Sequence, residues 1–299
     1  MNEMKKTFVV KLNGGLGNQM FVYAFARAMM IRHNAKLLFD NSLYDNYFRD
    51  MGLNAFNVVL DFAPNGLISK LKTPYYSVFS RLNKYLKYPI FHKSSHVIER
   101  KFEYDSSVID INRDAYFDGY WQTEKYFCDV APIIRNELQF KDSNIVDDNN
   151  LLSDILDAES VSVHVRRGDY IKNEATRKKF FVCDKQYFTN AISYIKSRLS
   201  NPKFFIFSDD PQYVVENFCL DKNNILIESK SYFEDFYLMQ RCRHHIISNS
   251  SFSWWAAWLG ETNTSITIAP DRWFTAHVRL NYSDIVPERW SKIPTKKTC

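Results

Sequence analysis

The sequence predicts an α/β protein made of two facing α/β domains with a cleft between them, residues 1–150 and 151–299. Three observations carry that prediction. From residue 151 onward, short β-branched and aromatic runs alternate with segments of helical period. The first half opens on a strand, a glycine-rich turn and a helix, the same theme in a less regular form. Between the halves lies the polar run Lys141 to Asn150 (KDSNIVDDNN), the best linker in the chain. Strands alternating with helices imply parallel sheets covered by helices on both faces.

In order, Phe8 to Leu12 reads as a strand and Asn13-Gly14-Gly15-Leu16-Gly17-Asn18-Gln19 as the loop after it. From Met20, Phe21, Ala24, Phe25 and Ala28 keep helical spacing up to Arg32. Such a turn lets a ligand approach backbone amides at a helix N-terminus, where anions are favoured; a plain connecting turn is the alternative. Met20 stands where a dinucleotide fingerprint needs its third glycine, and the Gly-Lys-Ser/Thr ending of a P-loop is missing. Lys36 to Phe39 is a second strand. Residues 70–101 carry eight basic side chains against one acid, Glu99, with aromatics between them. They read as a membrane-surface or polyanion patch, or as a solvated helical face with its rings turned inward. Thr123 to Phe140 is predicted helical.

In the second half, Val161 to Val165 alternates as a strand and breaks at Gly168. A helix capped by Asp184 follows, with Phe188, Ala191, Ile192, Ile195 and Leu199 on one face. Lys203 to Phe207 is the next strand, and Asp210 before Pro211 caps another helix. Asn224 to Glu228 is a strand, and Ser231-Tyr232-Phe233-Glu234 a capping box. His245 to Ser248 is a strand, followed by a helix through Trp254, Trp255 and Trp258 that stops at Gly260. Ser265 to Ala269 closes the series as a fifth strand.

Composition narrows the function. A formal charge of +5 is mild for a nucleic-acid binder and suits a protein that handles anions. The five cysteines are scattered without a C-x-x-C pair, which points to a reduced compartment and no structural zinc. No run approaches the roughly 18 apolar residues of a spanning helix, and the N-terminus lacks a signal-peptide core. A soluble, cytoplasmic protein is expected.

Three polar sets lie at the carboxyl ends of predicted strands, the edge where open α/β sheets bind ligands: His164 to Asp169, Ser208 to Asp210, and Ser248 to Ser253. The planar forks of Arg166 and Arg167 suit phosphate oxygens. Ser250, Ser251 and Ser253 at a helix start suit a phosphate too. Asp209 or Asp210 suits a ribose or base edge, although capping explains one of them. His164 reads equally as a ligand contact or as a hydrogen-bonded core histidine. Asp169 and Glu174 are the general-base candidates, with a surface role as the alternative for Glu174. No Asp-x-Asp spacing occurs and histidines pair only at His244-His245, so arginine rather than Mg²⁺ is expected to neutralise a departing diphosphate.

Asn13 to Met20, His164-Val165-Arg166-Arg167-Gly168-Asp169, Phe207-Ser208-Asp209-Asp210 and Ser248-Asn249-Ser250-Ser251-Phe252-Ser253-Trp254-Trp255 together resemble the α-1,2-fucosyltransferases of glycosyltransferase family 11, bacterial type. The His-x-Arg-Arg-x-Asp element is shared with α-1,6- and protein O-fucosyltransferases, and the serine- and tryptophan-rich element is more specific to the α-1,2 group. The resemblance implies a GT-B fold, with GDP-β-L-fucose held by residues 151–299 and the acceptor on the side of residues 1–150. It implies inverting transfer of L-fucose to the 2-hydroxyl of a terminal galactose, in surface polysaccharide or O-antigen synthesis, without a metal or other cofactor. By the same resemblance Arg166 contacts the β-phosphate, His164 and Asp209 lie near the guanosine, the Ser250 to Ser253 turn lies near the diphosphate, and Asn18 lies near the fucose. Glu174 has a spacing similar to that of the proposed base in α-1,6 enzymes. The catalytic candidates are therefore Arg166, Asp169, Glu174 and Asn18. The donor-binding candidates are His164, Arg167, Ser208, Asp209, Asp210, Asn249, Ser250, Ser251, Phe252 and Ser253, with Gly15, Gly17 and Gln19 in the first domain. Expected partners are GDP-fucose and a β-galactoside glycan or lipid-linked oligosaccharide, with peripheral membrane contact and no nucleic acid. The alternatives are an α-1,6- or chito-oligosaccharide-type fucosyltransferase, or a non-catalytic protein that binds GDP-sugars or polyanions.

Overall fold

The computed structural model describes residues 6–45, 50–74, 92–142, 145–146 and 148–295. Most of the basic and aromatic stretch 70–101, namely residues 75–91, lies outside them. The chain divides into two compact units: Met1–Gln139 with Ser283–Ile285, and Phe140–Tyr282 with Val286–Cys299.

Unit one contains a four-stranded parallel sheet of order β2-β1-β4-β3, with β1 Thr7–Lys11, β2 Lys36–Asp40, β3 His96–Ile98 and β4 Ala115–Asp118. Val9 pairs with Leu38 on one side and Tyr116 on the other, which aligns Lys11 with Asp40 and brings Ile98 level with Asp118. The Leu16–His33 helix buries nearly its whole circumference, from Met20 through Ala26, so its apolar residues do not confine themselves to one stripe. Phe25 wedges between Phe117 and Trp121, with ring centroids 5.3 and 4.3 Å away.

That helix starts four residues before the predicted Met20. Gly14 takes the left-handed conformation at φ 71°, and Gly15 is an extended N-cap. Gly17, Asn18 and Gln19 therefore lie in the first helical turn, not in the loop. The predicted helix 123–140 is instead two 3₁₀ turns, Glu124–Tyr126 and Cys128–Val130, followed by a helix over Ala131–Glu137. Pro132 lacks an N–H and is tolerated only in a first turn, which moves the helix start to it.

Unit two holds a six-stranded parallel sheet of order β10-β9-β8-β5-β6-β7. Its strands are β5 Glu159–Val165, β6 Pro202–Ser208, β7 Asn224–Leu226, β8 His244–Ile246, β9 Thr267–Pro270 and β10 Ser291–Ile293. The five predicted strands are present. The sixth, β10, was not predicted: it has one apolar residue, Ile293, and so no alternation to read. Val161, Val163 and Val165 pack with Phe204, Ile206 and the inner face of the Lys185–Lys196 helix: Tyr187, Phe188, Ala191 and Ile195. Each such aliphatic or aromatic burial is worth about 1.5–3 kcal/mol.

The caps are as the sequence predicts. Asp184 accepts from Tyr187 N at 2.9 Å, Asp210 from Tyr213 N at 3.3 Å, and Ser231 from Glu234 N at 3.2 Å. The return bond of the box goes from Lys230 N to Glu234. At the end of the Ser251–Gly260 helix, a Cβ on Gly260 would lie 2.2 Å from the Gln240 carbonyl, a closeness only glycine permits.

Candidate active site

The centre of the site is the carboxyl end of β5. Arg166 follows the last strand residue. Its Nη2 donates to Asp169 Oδ1 at 2.7 Å, and its Nη1 lies 2.7 Å from Asp209 Oδ2, across the sheet at the end of β6. Burial works against its charge, but Asp209 and Asp169 more than offset it, so its pKa is raised. About a quarter of the side chain remains exposed, 24%. Asp209 also accepts from the backbone N–H of Arg167 and Gly168, at 2.8 and 3.0 Å. A Cβ on Gly168 would meet Asp209 Oδ2 at 2.5 Å, so glycine is needed there for the carboxylate to close on the turn.

The neighbouring arginine points elsewhere. Arg167 Nε donates to Asp210 at 3.0 Å, and its guanidinium lies 3.6 Å from the centre of the Tyr213 ring. Ser208 Oγ donates to Val165 O and accepts from Asp210 N, both at 3.0 Å, so it ties β5 to β6. His164 is buried, its Nδ1 2.9 Å from Ser248 Oγ and its ring against Phe252 at 5.8 Å. Burial first, then the charge of Arg166, push its pKa down to about 4 against the pull of Asp209, so it is neutral at pH 7.

Of the run after β8, Asn249 is fully buried and donates to the carbonyls of Phe181 and Trp273, at 2.6 and 2.8 Å. It is a strut between loops. Ser253 Oγ donates to Ser250 O at 3.3 Å inside the helix start. Ser250 is the N-cap residue and makes no side-chain cap bond, and Ser251 and Phe252 are partly exposed. Glu174 is 69% exposed and pairs with Lys178 one helical turn on.

A cavity of about 400 Å³ opens at the same sheet edge, bounded by Ser208 and Pro211 after β6, residues 227–231 after β7, and Tyr232 and Asp235 of the Tyr232–Arg241 helix. Burial first, with Glu234 adding to it, raises the Asp235 pKa to about 6, although Ser229 Oγ donates to it at 2.7 Å. Asp235 and Tyr213 are site residues that the sequence did not single out; their only local signals were helix starts.

In unit one, Gln19 is fully buried, donating to Gly14 O and Asp50 O and accepting from Leu53 N. Asn18 accepts from Gln122 Nε2 at 2.8 Å. Among the described residues no group of three or more His, Cys, Asp or Glu is placed to hold a metal, and no helix is long and apolar enough to cross a membrane.

Comparison with known proteins agrees with this picture. The sequence profile of glycosyl transferase family 11 matches residues 1–293. An Escherichia coli α-1,2-colitosyltransferase is 37% identical over 296 residues, covering 95% of this chain and 98% of its own. The E. coli O-antigen biosynthesis glycosyltransferase WbnK is 28% identical, covering 93% of this chain and 98% of its own. A galactoside α-(1,2)-fucosyltransferase 1 of Saimiri boliviensis boliviensis is 32% identical over 108 residues, 35% of this chain and 30% of its own. In fold, the chain matches the NodZ α-1,6-fucosyltransferase structure soaked with GDP-fucose, with TM-score 0.51 at 15% identity, over 86% of this chain and 93% of that one. The fold is α/β of the GT-B type, and the chain belongs to glycosyl transferase family 11.

Proposed function

We propose that this protein transfers L-fucose from GDP-β-L-fucose to the 2-hydroxyl of a terminal galactose, with inversion, in the building of a surface polysaccharide. The observation that carries the proposal is Arg166, held by two carboxylates just past a strand end with about a quarter of its side chain exposed. As the galactose 2-hydroxyl oxygen bonds to C1 of fucose, its proton passes to water, the C1–O bond to the β-phosphate breaks on the opposite face, and that electron pair passes to the diphosphate. A fixed guanidinium stabilises that charge as it develops in the transition state. Ser251 and the N-terminus of its helix complete the diphosphate cradle. The cavity that ends at Asp235 takes the nucleoside, whose guanine offers N1–H and the 2-amino group to a carboxylate.

Asp169 is committed to Arg166, and Glu174 stands in solvent with Lys178. Both carboxylates are already engaged in ion pairs, and we assign both to supporting roles. Metal independence is part of the proposal. Its test is product formation from GDP-fucose and lactose in excess EDTA, with the linkage read by NMR. A 2′-fucosylated product is expected. GDP release without product would move the acceptor away from lactose, and no GDP release at all would remove the donor assignment.

A second reading is favoured by the colitosyltransferase, which matches at 37% identity over 95% of this chain. Colitose is fucose without its 3-hydroxyl, so the two donors differ by one hydrogen-bonding group. A site built to bind that hydroxyl rejects the deoxy donor strongly, whereas an apolar one discriminates weakly. The ratio of kcat/KM for the two GDP-sugars decides between them.

A further inference from the structure

We propose that Tyr170 is a positioning residue for Arg166 and is itself anchored by Asn249, so that the turn after β8 sets the place of the arginine after β5 through one aromatic ring. The proposal rests on the glycosyl-transfer reading above, because it gives the arginine of that reading a third support.

Arg166 is held at the edge of its fork by Asp169 and Asp209, each at 2.7 Å. Two such contacts fix the guanidinium along the line that joins them and leave its tilt about that line open. Tyr170 supplies what they leave out. The Cζ of Arg166 stands over its ring, 5.7 Å from the centroid. That separation is within cation–π range, and the attraction grows where water is kept away. Tyr170 is only 8% exposed.

A buried tyrosine needs a partner for its hydroxyl. Tyr170 Oη donates to the backbone carbonyl of Asn249 at 3.0 Å. Tyr170 belongs to the short Gly168–Lys172 helix after β5, and Asn249 to the turn after β8, the strand paired with β5. Phe180 stacks on the same ring, with centroids 4.9 Å apart and planes 18° apart. A phenylalanine at 170 would fill the same space, so packing alone does not call for the hydroxyl. Tying the ring to the neighbouring strand end does.

Asn249 has the bonding of an anchor. It is fully buried; its Nδ2 donates to Phe181 O and Trp273 O, and its Oδ1 accepts from Cys183 Sγ at 3.7 Å. Both polar atoms of its side chain are therefore engaged within the protein. The two carbonyls it grips belong to residues next to Phe180 and Phe274, which pair with each other as an antiparallel bridge. One side chain thus fixes the segment that carries Phe180 against Tyr170, while the backbone of the same residue holds the Tyr170 hydroxyl. The contacts run unbroken from Asn249 through Tyr170 to Arg166.

The test is the rate of GDP release from GDP-fucose, which needs no acceptor, for wild type, Tyr170→Leu, Tyr170→Phe, Arg166→Ala and the double variant Arg166→Ala/Tyr170→Leu. Tyr170→Leu is expected to lower kcat about tenfold, the order of one desolvated cation–π contact. Tyr170→Phe keeps the ring and loses the tether, and should recover to about threefold below wild type. In the Arg166→Ala background Tyr170→Leu should have no further effect, because a residue that acts through another is silent once that other is gone. The same tenfold loss in both backgrounds would mark general structural damage and overturn the proposal, as would Tyr170→Leu at the wild-type rate. NMR reads the contact without any donor: the Arg166 Cζ resonance, identified by its absence from Arg166→Ala, should move in Tyr170→Leu, and an unmoved resonance also overturns the proposal. A wild type that releases no GDP, with a resonance that does move, would remove the donor reading and leave the support of Arg166 by Tyr170 standing.

Discussion

Arg166 and Asp209 face each other at 2.7 Å across the ends of β5 and β6, and the same aspartate accepts from the backbone of Arg167 and Gly168. One carboxylate therefore fixes both the charge and the turn that carries it. The second fork nitrogen is held by Asp169. A lysine at 166 would keep the charge but could not span both carboxylates. Arg166→Ala is expected to lose on the order of 10²–10³ in kcat, as for other preorganised donors, and Arg166→Lys to recover little of it. Circular dichroism should show both variants folded. Turnover of Arg166→Ala within tenfold of wild type would sink the proposed role.

Gly168 tests whether the position of Asp209 matters, and not only its presence. An added Cβ would lie 2.5 Å from Asp209 Oδ2 and 3.0 Å from its Cγ, so the carboxylate must shift and Arg166 with it. Gly168→Ala is expected to reduce kcat tenfold or more without unfolding the protein. Gly66→Ala is the control. Nothing lies within 4 Å of its Cβ, in the Asn65–Leu71 helix, and there alanine should stabilise by about 0.4–1 kcal/mol. Equal activities of the two variants would show that the Asp209 contact is not needed.

How much of this was legible depended on the range of the signal. Alternation at Val161 to Val165, the caps Asp184, Asp210 and Ser231, and the stop at Gly260 are written within a few residues, and the structure has them. The strands β3, β4 and β10 were not predicted; β7, β8 and β9 are as short, but stand in the regular succession of strands and helices of the second half. The Leu16–His33 helix is buried nearly all round, so its start was set by Gly14 and Gly15 and not by an apolar stripe. In the candidate site, Arg166 stands just past the end of β5, where the alternation up to Val165 already puts it. Asn249 and Gln19 sit in the same motifs yet spend their amides on backbone carbonyls, and membership of a motif does not separate scaffold from contact. Asp235 reaches the cavity only because β6 and β7 pair, a long-range fact that no local pattern carries.

Glu174 has the spacing of a base but the surroundings of a surface residue. It is 69% exposed, and its ion pair with Lys178, 70% exposed, spans one helical turn. Pairs of that kind contribute about 0.3–0.5 kcal/mol. Glu174→Gln should keep kcat/KM within about threefold of wild type, a small effect for a group outside the transition state. A loss of a hundredfold, with an altered pH profile, would restore Glu174 as the base.

With the donor's guanine seated on Asp235 as proposed, donor binding depends on pH. Burial raises its pKa to about 6, so it is ionised at pH 7.5 and takes up a proton as the pH falls through 6. If it accepts from guanine, affinity for GDP-fucose weakens on that fall. GDP-fucose is the proper probe, since its diphosphate is esterified at both ends and does not titrate in that range. Stability runs the other way. The folded pKa lies above the unfolded value, so the folded state binds the proton more tightly, and this contribution, present at low pH, is lost as pH rises through about 6. Asp235→Asn removes both dependences. It should bind GDP-fucose about tenfold more weakly at pH 7.5, the order expected for a charge-assisted hydrogen bond, with affinity flat between pH 5.5 and 7.5 and a Tm at pH 7.5 no lower than wild type. Calorimetric titration across that range decides it: wild-type affinity unchanged through pH 6 would place the guanine away from Asp235.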